Sequence, residues 1–246
     1  MLPERKWEAE PLLRFVAGVC FCLSLGSLAT RAILPDAAFA TQEGKFFLFV
    51  SNSIVLHGGT LLLVGVFLRA HGVGWLAGFG FGSAGLLRTI ALAVAGVVVA
   101  LPVALLLQQL SMLGMQSVSV QPEVQVVVQT LQETQTLQQR VFFAFVAILG
   151  APVVEEIIFR GILYPALKQR GWPQLALWGT SLLFALTHAN VATFLPLTFL
   201  ALVLVFLYER TGNLLAPILT HSLFNAANYC ALIFQGELKE FFKAQS

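Results

Sequence analysis

Two adjacent carboxylates and a guanidinium sit within one apolar run, GAPVVEEIIFRGILYPAL, where lipid penalises every charge. Glu155, Glu156 and Arg160 would each cost about 2.5–3.5 kcal/mol at the centre of a membrane helix. At about 100° per residue, Glu156 and Arg160 share one face in the order that favours an ion pair. Glu155 points about 100° away from Glu156, cannot share that arginine as easily, and is left as the reactive carboxylate, able to take a proton from water and return it. Two later segments supply matching groups. Phe184 and His188 lie one turn apart in SLLFALTH, and His221 and Asn225 lie one turn apart in HSLFN. One carboxylate, two imidazoles and one carboxamide can together activate water and stabilise an oxyanion. The competing reading is an ion-pair staple that locks helices together.

The composition shows what must hold these groups. The chain has 246 residues, 58% of them hydrophobic and 11% charged, with a mean hydropathy of +0.84. Soluble domains are about 45–50% apolar and about 25% charged, so this is a membrane protein. A formal charge of +2, with no basic block to follow a phosphate backbone, excludes nucleic acid as a partner. The three cysteines, two of them (Cys20 and Cys22) in one apolar run, fit neither a disulfide framework nor a metal site and read as packing residues.

Seven apolar runs, at roughly 13–34, 46–68, 85–107, 141–167, 173–190, 192–208 and 214–235, predict about seven spans, within a range of six to eight, of a bilayer core about 30 Å thick. The expected fold is an all-α polytopic transmembrane bundle, one membrane-embedded unit over residues 1–246 with its motif-bearing core at about 141–235. Arg5, Lys6 and Arg14 before the first run, and Ala38-Phe39-Ala40 after it, resemble a cleaved leader. The length of the run and the acidic Glu4, Glu8 and Glu10 favour a retained helix instead. With the N-terminus inside, Arg5, Lys6, Arg14, Arg69, Arg88, Lys168, Arg170 and Arg210 fall on the inner side, against Arg31, Lys45, Arg140, Lys239 and Lys243 outside, which favours a cytoplasmic N-terminus. The polar connector 108–140 is rich in Gln, and its Val124, Val127, Val128, Leu131 and Leu137 recur at helical spacing, predicting an amphipathic helix at the interface or over the bundle mouth, or a solvated connector.

Two other features carry less. Gly80-Phe-Gly82-Ser-Ala-Gly85 fits G-x-G-x-x-G but lacks both a preceding strand and a following acidic residue, so Gly72 to Gly85 reads as a flexible connection and no nucleotide cofactor is expected. His57, beside Gly58 and Gly59 in the second run, predicts a helix-to-helix hydrogen bond.

Taken in order, the motifs resemble those of the CAAX-protease and bacteriocin-processing intramembrane endopeptidases, relatives of the type II CAAX prenyl endopeptidases. Glu155-Glu156-Ile-Ile-Phe-Arg160 matches E-E-x-x-x-R, Phe184 to His188 matches F-x-x-x-H, and His221 to Asn225 matches H-x-x-x-N within TGNLLAPILTHSLFN. The resemblance covers residues 150–228; residues 1–140 supply only apolar helices. It implies an intramembrane endopeptidase acting on a membrane-associated or C-terminally lipidated protein, or on a processed peptide, with the lipid bilayer as its medium. It further implies that Glu155 and His188 activate water, that His221 and Asn225 polarise the scissile carbonyl, and that Glu156 with Arg160 holds the helix in register. The same Glu and His side chains could hold Zn²⁺ or another divalent metal with one position left for water. Without H-E-x-x-H, the sequence leaves a metal site and a metal-free glutamate mechanism both open, as it does a proton-coupled transporter or a catalytically silent scaffold.

Straight helices pose one difficulty. His221 would lie about 10 Å from the inner end of its helix and His188 about 24 Å along its own, at about 1.5 Å per residue. The two meet only if the helix ending at His188 is short, tilted or entered late, or if the boundaries differ. Gly150-Ala151-Pro152 is also a candidate break ahead of the glutamates.

Overall fold

The structure, a computed structural model, describes residues 7–35, 37–38, 41–82, 85–120, 126–132 and 136–244. Glu4, Arg5, Lys6, Phe39, Ala40, Ser83, Ala84 and Val124, the remainder of 121–125 and 133–135 in the connector, and the side chains of Val127, Lys239 and Lys243 lie outside the described residues. The described chain forms α1 (Ala9–Ile33), α2 (Gln42–Ala70), α3 (Trp75–Phe79), α4 (Leu86–Ser117), α5 (Val126–Gln132), α6 (Leu137–Lys168), α7 (Leu175–Thr187), α8 (Val191–Thr211) and α9 (Leu215–Ala244). It is an all-α bundle of an integral membrane protein.

Each of the seven apolar runs becomes a helix, in keeping with a polytopic bundle, and the helices differ in reach. Among the described residues five helices, α1, α2, α4, α6 and α8, are long and apolar enough to cross a membrane. At about 1.5 Å per residue α7 extends only about 20 Å, short of the bilayer core. α9 is long, but its second half carries Glu237, Lys239, Glu240 and Lys243.

The helix bearing the glutamates is not broken at Gly150-Ala151-Pro152; it is rewound. Within α6, Val146–Gly150 and Ile157–Leu163 are π-helical, as are Ile54–Gly58 in α2 and Leu175–Gly179 in α7. Proline lacks an N–H and crowds the carbonyl four residues back, and a widened turn just ahead of it relieves both problems. The Ala151 N–H accordingly bonds the Val146 carbonyl, five residues back, immediately before Pro152. The Tyr164 N–H bonds the Phe159 carbonyl immediately before Pro165. The glutamates thus occupy a short α-helical stretch, Ala151–Glu156, between two widened turns.

Small residues bring α4, α8 and α9 close together. Ala93, Gly96, Ala100 and Ala104 form a buried stripe along α4. A Cβ at Gly96 would lie 2.8 Å from Leu207 and 3.1 Å from Thr220, and the Thr220 hydroxyl donates to the Ala93 carbonyl at 3.2 Å. In lipid such packing replaces the hydrophobic drive that water would supply.

The segment read as a flexible connection is in part a packed element. α3 buries Phe79 completely, and Gly80 and Gly82 take φ of +68° and +96°. The Phe79 carbonyl accepts the Leu214 N–H at 3.0 Å, which ties α3 to the α8–α9 turn. A Cβ at Gly161 would lie 2.8 Å from the Phe79 ring and 3.4 Å from Leu214. The α8–α9 turn therefore sits level with Gly161, about 10 Å inside the end of α6 at Lys168. This depth, together with the shortness of α7, lets His221 meet groups that straight spans would have kept apart.

The same end of the bundle gathers its charges. Arg170 donates to the Trp7 carbonyl at 2.9 Å, the Glu8 N–H donates to His71 Nε2 at 3.0 Å, and Glu209 accepts from both Tyr164 and Lys168. From the connector, α5 forms as the spacing predicts and packs against α2 with Leu131 buried, whereas Leu137 is exposed at the start of α6. Of the cysteines, Cys22 packs inside against Gly59; Cys20 and Cys230 face outward, unlike the packing role read for them.

Candidate active site

α6 supplies the acidic side chains, α7 the Phe184–His188 pair and α9 the His221–Asn225 pair. Glu156 and Arg160 are fully buried and paired as their spacing predicts, Arg160 donating to Glu156 Oε1 at 2.8 Å. The second guanidinium nitrogen donates to the Ala201 carbonyl of α8 at 3.1 Å, and the guanidinium lies 4.6 Å over the Phe184 ring. A buried charge is tolerated only when paired and hydrogen-bonded, and this arginine is held by α6, α7 and α8 together.

The same carboxylate reaches further. Oε1 of Glu156 also accepts from Nδ1 of His221, at 2.9 Å. A carboxylate on one ring nitrogen fixes the tautomer and orientation of an imidazole, leaving Nε2 as its working end. That end faces Glu155 Oε2 across 3.9 Å. The Glu155 side chain is 27% exposed, yet its Oε2 is buried and has no hydrogen-bond partner among the described residues. Glu156 is thus held by Arg160 and His221 together, whereas Oε2 of Glu155 makes no hydrogen bond among the described residues.

Phe184 explains why F-x-x-x-H is a unit. Its carbonyl accepts from Nδ1 of His188 at 2.9 Å, and its fully buried ring lies 5.0 Å from His188 and 5.6 Å edge-on to His221. Phe159 packs on it edge-on at 5.3 Å. Both imidazoles pack on one aromatic ring; His188 borders the cluster from the end of α7, just past its last helical residue. Asn225 is anchored as well, one N–H of its amide donating to the Ala147 carbonyl in a widened turn of α6 at 2.8 Å. One amide N–H is left over.

A metal would need three converging protein ligands and an open position. Glu156 is already engaged by Arg160 and His221, which leaves Glu155, His188 and Nε2 of His221 as the donors on offer. Among the described residues no three His, Cys, Asp or Glu side chains come together as a metal-binding group. The donor set as arranged does not fit a three-ligand site.

Some site features have no signal in the motifs. The Ala147 and Ala201 carbonyls are backbone acceptors that any residue type could supply, and the fully buried Ser181 hydroxyl of α7 lacks a hydrogen-bond partner among the described residues. The helix-to-helix hydrogen bond expected of His57 is absent among the described residues; the ring packs against Gly150 instead.

Comparison with known proteins points the same way. Two Bacillus subtilis (strain 168) proteins are similar over part of their length. "Putative membrane peptidase YdiL" is 34% identical over 80 residues, covering 32% of this chain and 33% of that protein. "Uncharacterized protein YpbD" is 32% identical over 85 residues, covering 33% of this chain and 41% of that protein. The chain thus matches between a third and two fifths of the length of these relatives. No solved structure matches significantly. The family model described as type II CAAX prenyl endopeptidase Rce1-like matches residues 137–227. The resemblance read from the three ordered motifs is borne out, and the part of the chain similar to the Rce1-like type II CAAX prenyl endopeptidases is the part that builds the Glu155, Glu156 and His221 cluster.

Proposed function

We propose that this cluster hydrolyses a peptide bond in a membrane-associated substrate, of which a C-terminally lipidated CAAX-like protein is the leading class. The observation that carries this reading is the facing of Glu155 Oε2 and His221 Nε2 at 3.9 Å. This gap is too wide for a direct hydrogen bond, so neither atom is spent on the other, and the partly exposed side chain of Glu155 gives the pair access to a water. Glu155 takes a proton from that water as its oxygen attacks the scissile carbonyl carbon, and returns the proton to the leaving nitrogen as the C–N bond breaks. The remaining N–H of Asn225 donates to the carbonyl oxygen as it gains negative charge, an interaction worth about 2.7–4 kcal/mol when preorganised in a dry site. His188, with Nδ1 tied to Phe184, keeps Nε2 for the water or the substrate. Glu156 and Arg160 position His221 rather than touch the substrate. The charged end that joins Trp7, His71, Lys168 and Arg170 is assigned to the cytoplasm by its excess of basic residues.

The test is release of a fluorophore from an internally quenched peptide ending in a farnesylated Cys-aliphatic-aliphatic-X box, with the protein in liposomes. Wild type should cleave it and Glu155→Gln should not. Equal cleavage by both would overturn the reading, and a proton flux that depends on Glu155, without any cleavage, would replace it with transport.

A further inference from the structure

His57 lies outside all three motifs and outside residues 137–227, in the widened turn Ile54–Gly58 of α2. Its imidazole rests on bare backbone: a Cβ at Gly150 would meet Nδ1 at 3.7 Å and Cε1 at 4.0 Å. Gly150 closes the widened turn that leads into the glutamate stretch, and Asn225 of α9 grips the same turn through the Ala147 carbonyl. The turn is thus flanked by α2 and α9, each presenting a polar side chain from the motif region or beside it. Glu155 stands five residues further along the same helix, about 7.5 Å from Gly150 along its axis, and its Oε2 has no hydrogen-bond partner among the described residues. Among the described residues the ring has no hydrogen-bond partner, although it is half-buried in the middle of an apolar helix. A histidine kept for packing alone would gain nothing from two unused nitrogens in lipid, where a leucine or phenylalanine avoids their desolvation.

We infer that His57 is a positioning residue for Glu155, offering a ring nitrogen from α2 as a hydrogen-bond partner for the carboxylate or for the water it activates. The pocket then draws on the N-terminal half of the chain as well as on its motif-bearing part. The assignment rests on the peptide-hydrolysis reading above.

His57→Phe keeps the ring volume and removes the polar atoms, whereas His57→Gln keeps a hydrogen-bonding end without an imidazole. Both are assayed on the farnesylated quenched peptide in liposomes beside wild type and Glu155→Gln, and the melting temperature of each is followed in detergent. His57→Phe should lower kcat by about tenfold to a hundredfold, the scale of a misplaced catalytic group, with KM within about twofold. His57→Gln should recover most of that loss, and both variants should melt near wild type. Equal kcat in the Phe and Gln variants, or a loss that follows melting temperature, overturns the assignment of His57 alone provided Glu155→Gln is inactive. No cleavage by wild type, or full cleavage by Glu155→Gln, overturns the peptidase reading and this inference with it.

Discussion

His221 and Arg160 meet on a single oxygen: Nδ1 of the imidazole lies 2.9 Å, and a guanidinium nitrogen 2.8 Å, from Oε1 of Glu156. The ion pair within α6 is therefore also the orienting group for a ring on α9. A pair that looks purely structural in the sequence sets which nitrogen of His221 is turned toward Glu155.

Removing one partner of that pair should unfold the protein as well as inactivate it. Arg160→Met leaves Glu156 buried beside His221 without its counter-charge, a class of change that costs about 3–5 kcal/mol. The double variant Glu156→Leu/Arg160→Met should regain much of the stability and remain inactive, because His221 has lost its anchor. Unfolding in mixed micelles measures the first effect and peptide cleavage the second.

Glu155→Gln separates chemistry from folding. The side chain is partly exposed and its Oε2 has no hydrogen-bond partner among the described residues, so the isosteric amide should leave the melting temperature within a few degrees of wild type. Cleavage should fall by about 10²–10⁴-fold, the usual contribution of a general base. A loss below about tenfold would move the base elsewhere.

Chelation should have little effect on rate. Glu156 is already engaged by Arg160 and His221, and no three metal-ligating side chains converge among the described residues. Dialysis against a strong chelator, followed by metal analysis of the protein, should leave kcat within about twofold of the untreated enzyme. A loss restored by Zn²⁺ would show that His188 moves inward to complete a site.

Gly80→Ala tests the buried α8–α9 turn. Gly80 has φ of +68°, and an added Cβ would lie 1.9 Å from the Gly212 carbonyl oxygen. The left-handed backbone alone costs an alanine about 1–2 kcal/mol, and the clash must push the turn away. A lower melting temperature with reduced cleavage is expected, since His221 follows that turn by less than three helical turns.

Much of the site was legible because its logic is local. The four-residue spacings of Glu156 with Arg160, Phe184 with His188 and His221 with Asn225 are rules of a single helix, and apolar runs report helices directly in lipid. What could not be read depends on contacts distant in sequence. The depth of the α8–α9 turn comes from Phe79 and Leu214 meeting at Gly161, and the anchors of Arg160 and Asn225 include carbonyls that no side chain announces. Pro152 gave a warning of its own, but its sequence signal does not distinguish a break from a rewound turn. His57 passed for a simple tether because its neighbour Gly150 lies far away in the chain.

The widened turn between Val146 and Gly150 holds one residue more than an ordinary turn. Deleting one amino acid there would restore an ordinary helical ladder and leave the downstream carboxylates in nearly the same rotational phase. The same deletion within the α-helical stretch Ala151–Glu156, ahead of the glutamates, has no widened turn to absorb it and would swing them by about 100° relative to their surroundings. Homologues that shorten the earlier interval should therefore lose the widened turn and keep the orientation of the acidic pair.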